Sequence, residues 1–85
     1  MNVRVKLFAV AKQRVGQAEI DVELPAAAQP KTTIGHLRGA IVGQYPALAD
    51  VLAHARIAVD NEYAADSAAI SPTAQIAIIP PVSGG

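Results

Sequence analysis

Residues Val3 to Ala9 alternate in character, and this pattern constrains the chain more than any other. Val3, Val5, Leu7 and Ala9 fall on one side; Arg4, Lys6 and Phe8 fall on the other. Successive side chains of a strand point to opposite faces, so a period of two predicts a half-buried strand and not a helix. A second run repeats the pattern, with Ala18, Ile20, Val22 and Leu24 on one side and Glu19, Asp21 and Glu23 on the other. Gly16, in the connecting stretch VAKQRVGQ, supplies the turn. The two runs predict an antiparallel hairpin in which a basic strand meets an acidic one. Each cross-strand ion pair contributes at most about 1 kcal/mol, but together they help to set the register.

The remainder of the chain completes a small α+β domain. Pro25 ends the second strand, and PAAAQPK is a loop. Thr32 or Thr33 is placed to cap a helix. Ile34, Leu37, Ile41, Tyr45 and Leu48 fall within about 80° of one another at ~100° per residue, which makes them a core stripe. Pro46 stops the regular helix, and a short extra turn follows in ALADVLAHA. Ile57 and Val59 alternate, VDNEY reads as a tight turn between two short strands, and SPT is another turn. In the last strand Ile76 and Ile78 point inward and Ala77 and Ile79 outward, before Pro80 and Pro81 end the ladder. The order strand, strand, helix, strand, strand, strand predicts a β-grasp, or ubiquitin-like, architecture. It is a mixed sheet of four to five strands with one main helix packed on one face. The first and last strands are the most apolar and are expected side by side at the centre.

Composition narrows the function. With 85 residues the chain is one domain, and it buries roughly 60–65% of its unfolded surface. Lys plus Arg balances Asp plus Glu, so the formal charge is zero and no long-range attraction to nucleic acid or anionic membrane is expected. Cysteine is absent, which removes disulfides, thiolate nucleophiles and cysteine metal sites. Arg4 and Lys6 argue against a signal peptide, no apolar run reaches the ~20 residues of a membrane helix, and a cytoplasmic location is expected. His36 and His54 stand apart, without metal-ligand spacing. No G-x-S-x-G elbow and no phosphate-binding glycine loop occurs, so an autonomous side-chain active site is not expected. Gly35, Gly39 and Gly43 lie on the outer side of the helix, where they weaken it by roughly 0.8–1 kcal/mol each relative to alanine.

Two features remain that carry function. Phe8 and Ile79 share the outward parity of the sheet and Tyr63 is expected on a nearby strand, and three large apolar groups on a solvated face predict a docking patch. The second feature is the end of the sequence, IIPPVSGG. Pro80 and Pro81 favour an extended segment at ~3.1 Å per residue. From Pro80 through Val82 and Ser83 to Gly85 the reach is therefore roughly 18–20 Å. Gly84 and Gly85 have no side chains and fit a channel too narrow for other residues. The reactive group would be the carboxylate of Gly85. A free carboxylate is a poor acyl donor, but adenylation makes it a mixed anhydride that a sulfur nucleophile can attack. The product, a thiocarboxylate, would let a cysteine-free protein carry sulfur. The expected division is a β-grasp domain over residues 1–79 and a flexible Gly-Gly tail over residues 80–85.

The stretches VRVKLFAVAKQRVG, TTIGHLRGAI, AVDNEYA and above all IAIIPPVSGG make the chain resemble the small subunit of molybdopterin synthase, the MoaD family of ubiquitin-like sulfur carriers. Pro80, Pro81, Val82, Ser83, Gly84 and Gly85 match the family's common ending. The resemblance implies that Gly85 is adenylated by a MoeB-like activating enzyme using ATP and Mg, and then converted to a thiocarboxylate. It implies that the tail enters the active site of a MoaE-like large subunit and gives its sulfur to cyclic pyranopterin monophosphate, forming the dithiolene of molybdopterin. Catalytic side chains would belong to the large subunit, in a heterotetramer, and this chain would bind no cofactor itself. Ile78 and Ile79 stand where relatives often have aromatic residues, and SPTAQ where many have an Asp-Gly type turn. Sulfur carriage for thiamin, cysteine or tRNA thiolation, a ubiquitin-like protein modifier, and a plain binding module are the alternatives.

Overall fold

The computed structural model describes residues 2–24, 32–71 and 73–80. The alternating N-terminal runs become β1 (Asn2–Leu7) and β2 (Glu19–Glu23), paired antiparallel with Arg4 across from Asp21 and Lys6 across from Glu19. Val3, Val5, Leu7, Ile20, Val22 and Leu24 are buried, as their parity requires.

The connection between these strands is not a turn. It is a seven-residue helix, α1 (Ala9–Val15). Ala9 therefore leaves the inward face predicted for it: it is exposed and starts the helix in the left-handed region at φ 51. Ala18 also lies outside the strand and is exposed, although its carbonyl accepts from Leu7 N–H at 2.8 Å. Ala11, buried against the core, takes over the inward position. Gly16 ends α1 as its C-cap at φ 81, donating its N–H to Lys12 O at 2.7 Å. This is a glycine stop that needs a left-handed residue.

The helical stripe becomes α2 (Ile34–Gln44), with Ile34, Leu37 and Ile41 fully buried. Thr33 caps it reciprocally: its Oγ1 accepts from His36 N–H, and its own N–H donates to His36 Nδ1 at 3.1 Å. His36 thus has a structural role. Tyr45 closes α2 ahead of Pro46, and a 3₁₀ turn (Pro46–Leu48) runs into the short helix α3 (Ala49–Leu52). Leu48, Val51 and Leu52 extend the core beneath this corner. Arg38 holds the chain that leaves it: the guanidinium donates to Leu52 O at 2.8 Å, to Ala55 O at 3.0 Å and to Asp66 Oδ1 at 2.9 Å.

Strands β3 (Arg56–Val59) and β4 (Glu62–Ala64) form a tight hairpin across Asp60 and Asn61. Both turn residues have positive φ, 51 and 70. That is the signature of a type I′ turn, whose twist matches the strands it joins. Asp60 is also tied to the approach of the final strand: its N–H donates to Gln75 O, and its Oδ1 accepts from Gln75 N–H at 2.9 Å. β5 (Ile76–Ile79) lies between β1 and β3, parallel to β1 and antiparallel to β3. The sheet has five strands in the order β2-β1-β5-β3-β4, so the first and last strands are neighbours. The helices cover one face over a single apolar cluster. The opposite face is the one that carries Arg4, Lys6, Phe8, Tyr63, Ala77 and Ile79.

Candidate functional site

The uncovered sheet face is built by strand register. Lys6 on β1 lies across from Ala77 on β5, Ala77 across from Ala58 on β3, and Ala58 across from Tyr63 on β4. This row has large side chains at its ends and two alanines in the middle, so the pleat forms a depression. One residue pair further along β5, Ile79 lies across from Arg56. Phe8 stands at the same level beyond the end of β1, its backbone still extended at φ −128.

The result is a hollow of about 340 Å³ bordered by Phe8, Tyr63 and Ile79 and floored by Ala58 and Ala77, with Lys6, Asn61 and Gln75 at its polar margin. The three residues predicted to form a docking patch are thus brought together in one concavity. Phe8 is 47% and Tyr63 63% exposed, whereas Ile79 is half-buried. The Arg56 guanidinium sits 5.0 Å from the centre of the Tyr63 ring. A cation over the ring is a favourable contact that ties Tyr63 on β4 to Arg56 on β3. Phe8 also separates this hollow from a second one lined by Lys6, Ala9, Lys12, Ala18 and Glu19.

Sequence reasoning missed the floor and the polar margin. Ala58, Ala77 and Arg56 attract no attention as residue types. The available signal was the outward parity of two small residues on strands that become neighbours, and it requires the sheet order to be known. Pro80, expected in the tail, is buried at the end of β5. The proposed tail residues Pro81, Val82, Ser83, Gly84 and Gly85 lie outside the described residues.

The hollow combines apolar walls with a polar margin. Among the described residues no group of three or more His, Cys, Asp or Glu side chains is placed to hold a metal ion. Among them, too, no helix is long and apolar enough to cross a membrane. The perturbed titrations belong to a strut. Arg14 on α1 donates to both carboxylate oxygens of Asp50 on α3 at 2.6 and 2.9 Å. That hydrogen bonding holds the Asp50 carboxyl below its ordinary range and raises Arg14. Gly35, Gly39 and Gly43 do not form a shared groove. Gly35 N–H donates to Asp66 O, while Gly39 and Gly43 face open space.

The body is a ubiquitin-like β-grasp domain with a hollow beside its last strand. The family model described as ThiS matches residues 5–85, and the chain belongs to that family. It is 40% identical over 87 residues to the molybdopterin synthase sulfur carrier subunit of Caenorhabditis briggsae, covering 100% of this chain and 99% of the relative. The molybdopterin synthase sulfur carrier subunit of Arabidopsis thaliana is 31% identical over 85 residues, covering 100% of this chain and 84% of the relative. Among solved structures, the fold is similar to SAMP1, a small archaeal modifier protein of Haloferax volcanii, with TM-score 0.82 and 29% identity over the whole of both chains.

Proposed function

We propose that this chain works as the sulfur carrier subunit of a molybdopterin synthase, with the body as an adaptor and Gly85 as the reacting residue. The observation that carries this reading is similarity to named carrier subunits along the entire length, with the family match running to residue 85. The hollow beside β5 supports it. A partner seated on Phe8, Tyr63 and Ile79 also lies beside Pro80, from which the sequence PVSGG continues.

The chemistry proceeds on partner proteins. On an activating enzyme holding ATP and Mg, the Gly85 carboxylate attacks the α-phosphorus, pyrophosphate leaves, and an acyl-adenylate forms. A sulfur nucleophile from a donor then displaces AMP, leaving a thiocarboxylate. In the large synthase subunit this sulfur passes to cyclic pyranopterin monophosphate, and a water oxygen restores the carboxylate. The sequence from Pro81 to Gly85 is proposed to supply reach, and the side-chain-free Gly84 slimness. This chain holds no cofactor of its own, the working assembly is a heterotetramer, and the setting is the cytoplasm.

Intact mass after incubation with an activating enzyme, ATP, Mg and a sulfur donor tests the proposal. One oxygen replaced by sulfur at Gly85, followed by molybdopterin formation once large subunit and pterin precursor are added, is the expected result. Loading without molybdopterin formation would move the protein to another sulfur pathway. One bulky residue added after Gly85 is expected to abolish transfer with the melting temperature unchanged. A second reading, protein modification through an isopeptide bond at Gly85, is favoured by the likeness to a small archaeal modifier protein. It predicts lysine conjugates of higher mass instead.

A further inference from the structure

The outer edge of β2 is occupied by side chains at Glu23 and Asp21. Leu7 N–H donates to Ala18 O, and the β1–β2 register runs from Lys6 opposite Glu19 to Asn2 opposite Glu23. In an antiparallel pair the residues facing the partner strand alternate with residues facing away. Ile20 and Val22 therefore turn their backbone groups toward β1. Glu19, Asp21 and Glu23 turn theirs toward the outer edge.

The end of α2 occupies that edge. Gln44 Oε1 accepts from Glu23 N–H at 3.0 Å, and Gln44 Nε2 donates to Glu23 O at 2.8 Å. A single carboxamide thus makes the same donor-and-acceptor pair that a residue of a neighbouring strand would make. Tyr45 Oη donates to Asp21 O at 3.1 Å. Exposed edges invite strand addition, and folded proteins block them in several ways. The edge in question is also chemically selective. Glu19, Asp21 and Glu23 present carboxylates on the open face, and the strand they already pair with is basic, with Arg4 3.3 Å from Asp21.

We propose that Gln44 and Tyr45 act as a guard on the β2 edge, occupying the backbone groups through which an extended basic segment would otherwise add to the sheet. Strand addition to this carrier is thereby kept away from β2. Partners are left with surfaces other than this edge, the open face among them.

The probe is a capped, fluorescently labelled peptide of sequence NVRVKL, identical to β1, titrated against the full chain and against a Gln44→Ala/Tyr45→Phe variant. Removal of three competing hydrogen bonds is expected to tighten peptide binding at least about tenfold. The Glu23 amide should exchange faster in the variant and slow again when the peptide is bound. A peptide with glutamates in place of its Arg and Lys should lose the gain. Equal affinity of wild type and folded variant for NVRVKL would overturn the guard and leave the pair as a strut between α2 and the sheet, as would indifference to the charge swap. If the double variant fails to fold, Gln44→Ala alone keeps the Tyr45 bond. A gain of about threefold is then expected, and no gain would overturn the proposal equally.

Discussion

The four residues of β5 divide the labour of the molecule between two faces. Ile76 and Ile78 are buried beneath the helices, whereas Ala77 and Ile79 lie half-buried on the face the helices leave open. The same backbone and the same pleat serve both. On the covered side, large side chains fill space and hold the sheet to α2. On the open side, an alanine leaves a depression and an isoleucine walls it. A difference of one position in sequence is thus a difference between the core and the open hollow. Residues of the open face can therefore change without disturbing the core.

The sharpest way to break this contrast is truncation on each face. Ile78→Ala is expected to destabilise the fold by about 2–5 kcal/mol, because it removes buried methylenes and leaves a cavity that the sheet cannot collapse. Ile79→Ala should cost much less stability, and denaturant unfolding of the two variants checks the asymmetry. Comparable losses would mean that the open face is part of the core. The next largest effect is expected in binding. Phe8→Asp should weaken association with the large synthase subunit by about 2 kcal/mol, roughly 30-fold in Kd, with the unfolding midpoint nearly unchanged. Calorimetric titration reads the first and thermal melts the second. The smallest effect belongs to the hairpin side of the same face. Arg4→Ala removes the pair with Asp21 and should cost about 0.2–1 kcal/mol of stability without altering partner affinity. A large loss of affinity there would extend the docking surface across β1 to β2.

The parts of the fold set by short-range periodicity were legible in the sequence. The parity of Val3, Val5 and Leu7 against Arg4 and Lys6 follows from the pleat, and the acidic complement on Glu19, Asp21 and Glu23 set the pairing. The stripe of Ile34, Leu37 and Ile41 marked α2 for the same reason. Helix α1 escaped because alternation was read through Ala9, where the backbone turns into the left-handed region. Lys12 and Arg14 ahead of Gly16 were the available signal, since basic residues and then a glycine end a helix. Long-range polar fastening was not legible. The reach of Arg38 to Leu52 and Ala55, and of Gln44 to Glu23, depends on which segments meet, and no local pattern encodes it. The patch was legible in its apolar members, Phe8, Tyr63 and Ile79. Its concavity was not, because the concavity comes from two alanines on strands distant in sequence.

The parallel pairing of β1 with β5 has a consequence for biosynthesis. The hairpin β1–β2 is synthesised before β5, the strand that pairs with β1 on its other side. Until then the sheet lacks its middle strand and the hollow lacks both its floor at Ala77 and its wall at Ile79. A chain that ends before β5 therefore has neither the centre of the sheet nor a complete hollow.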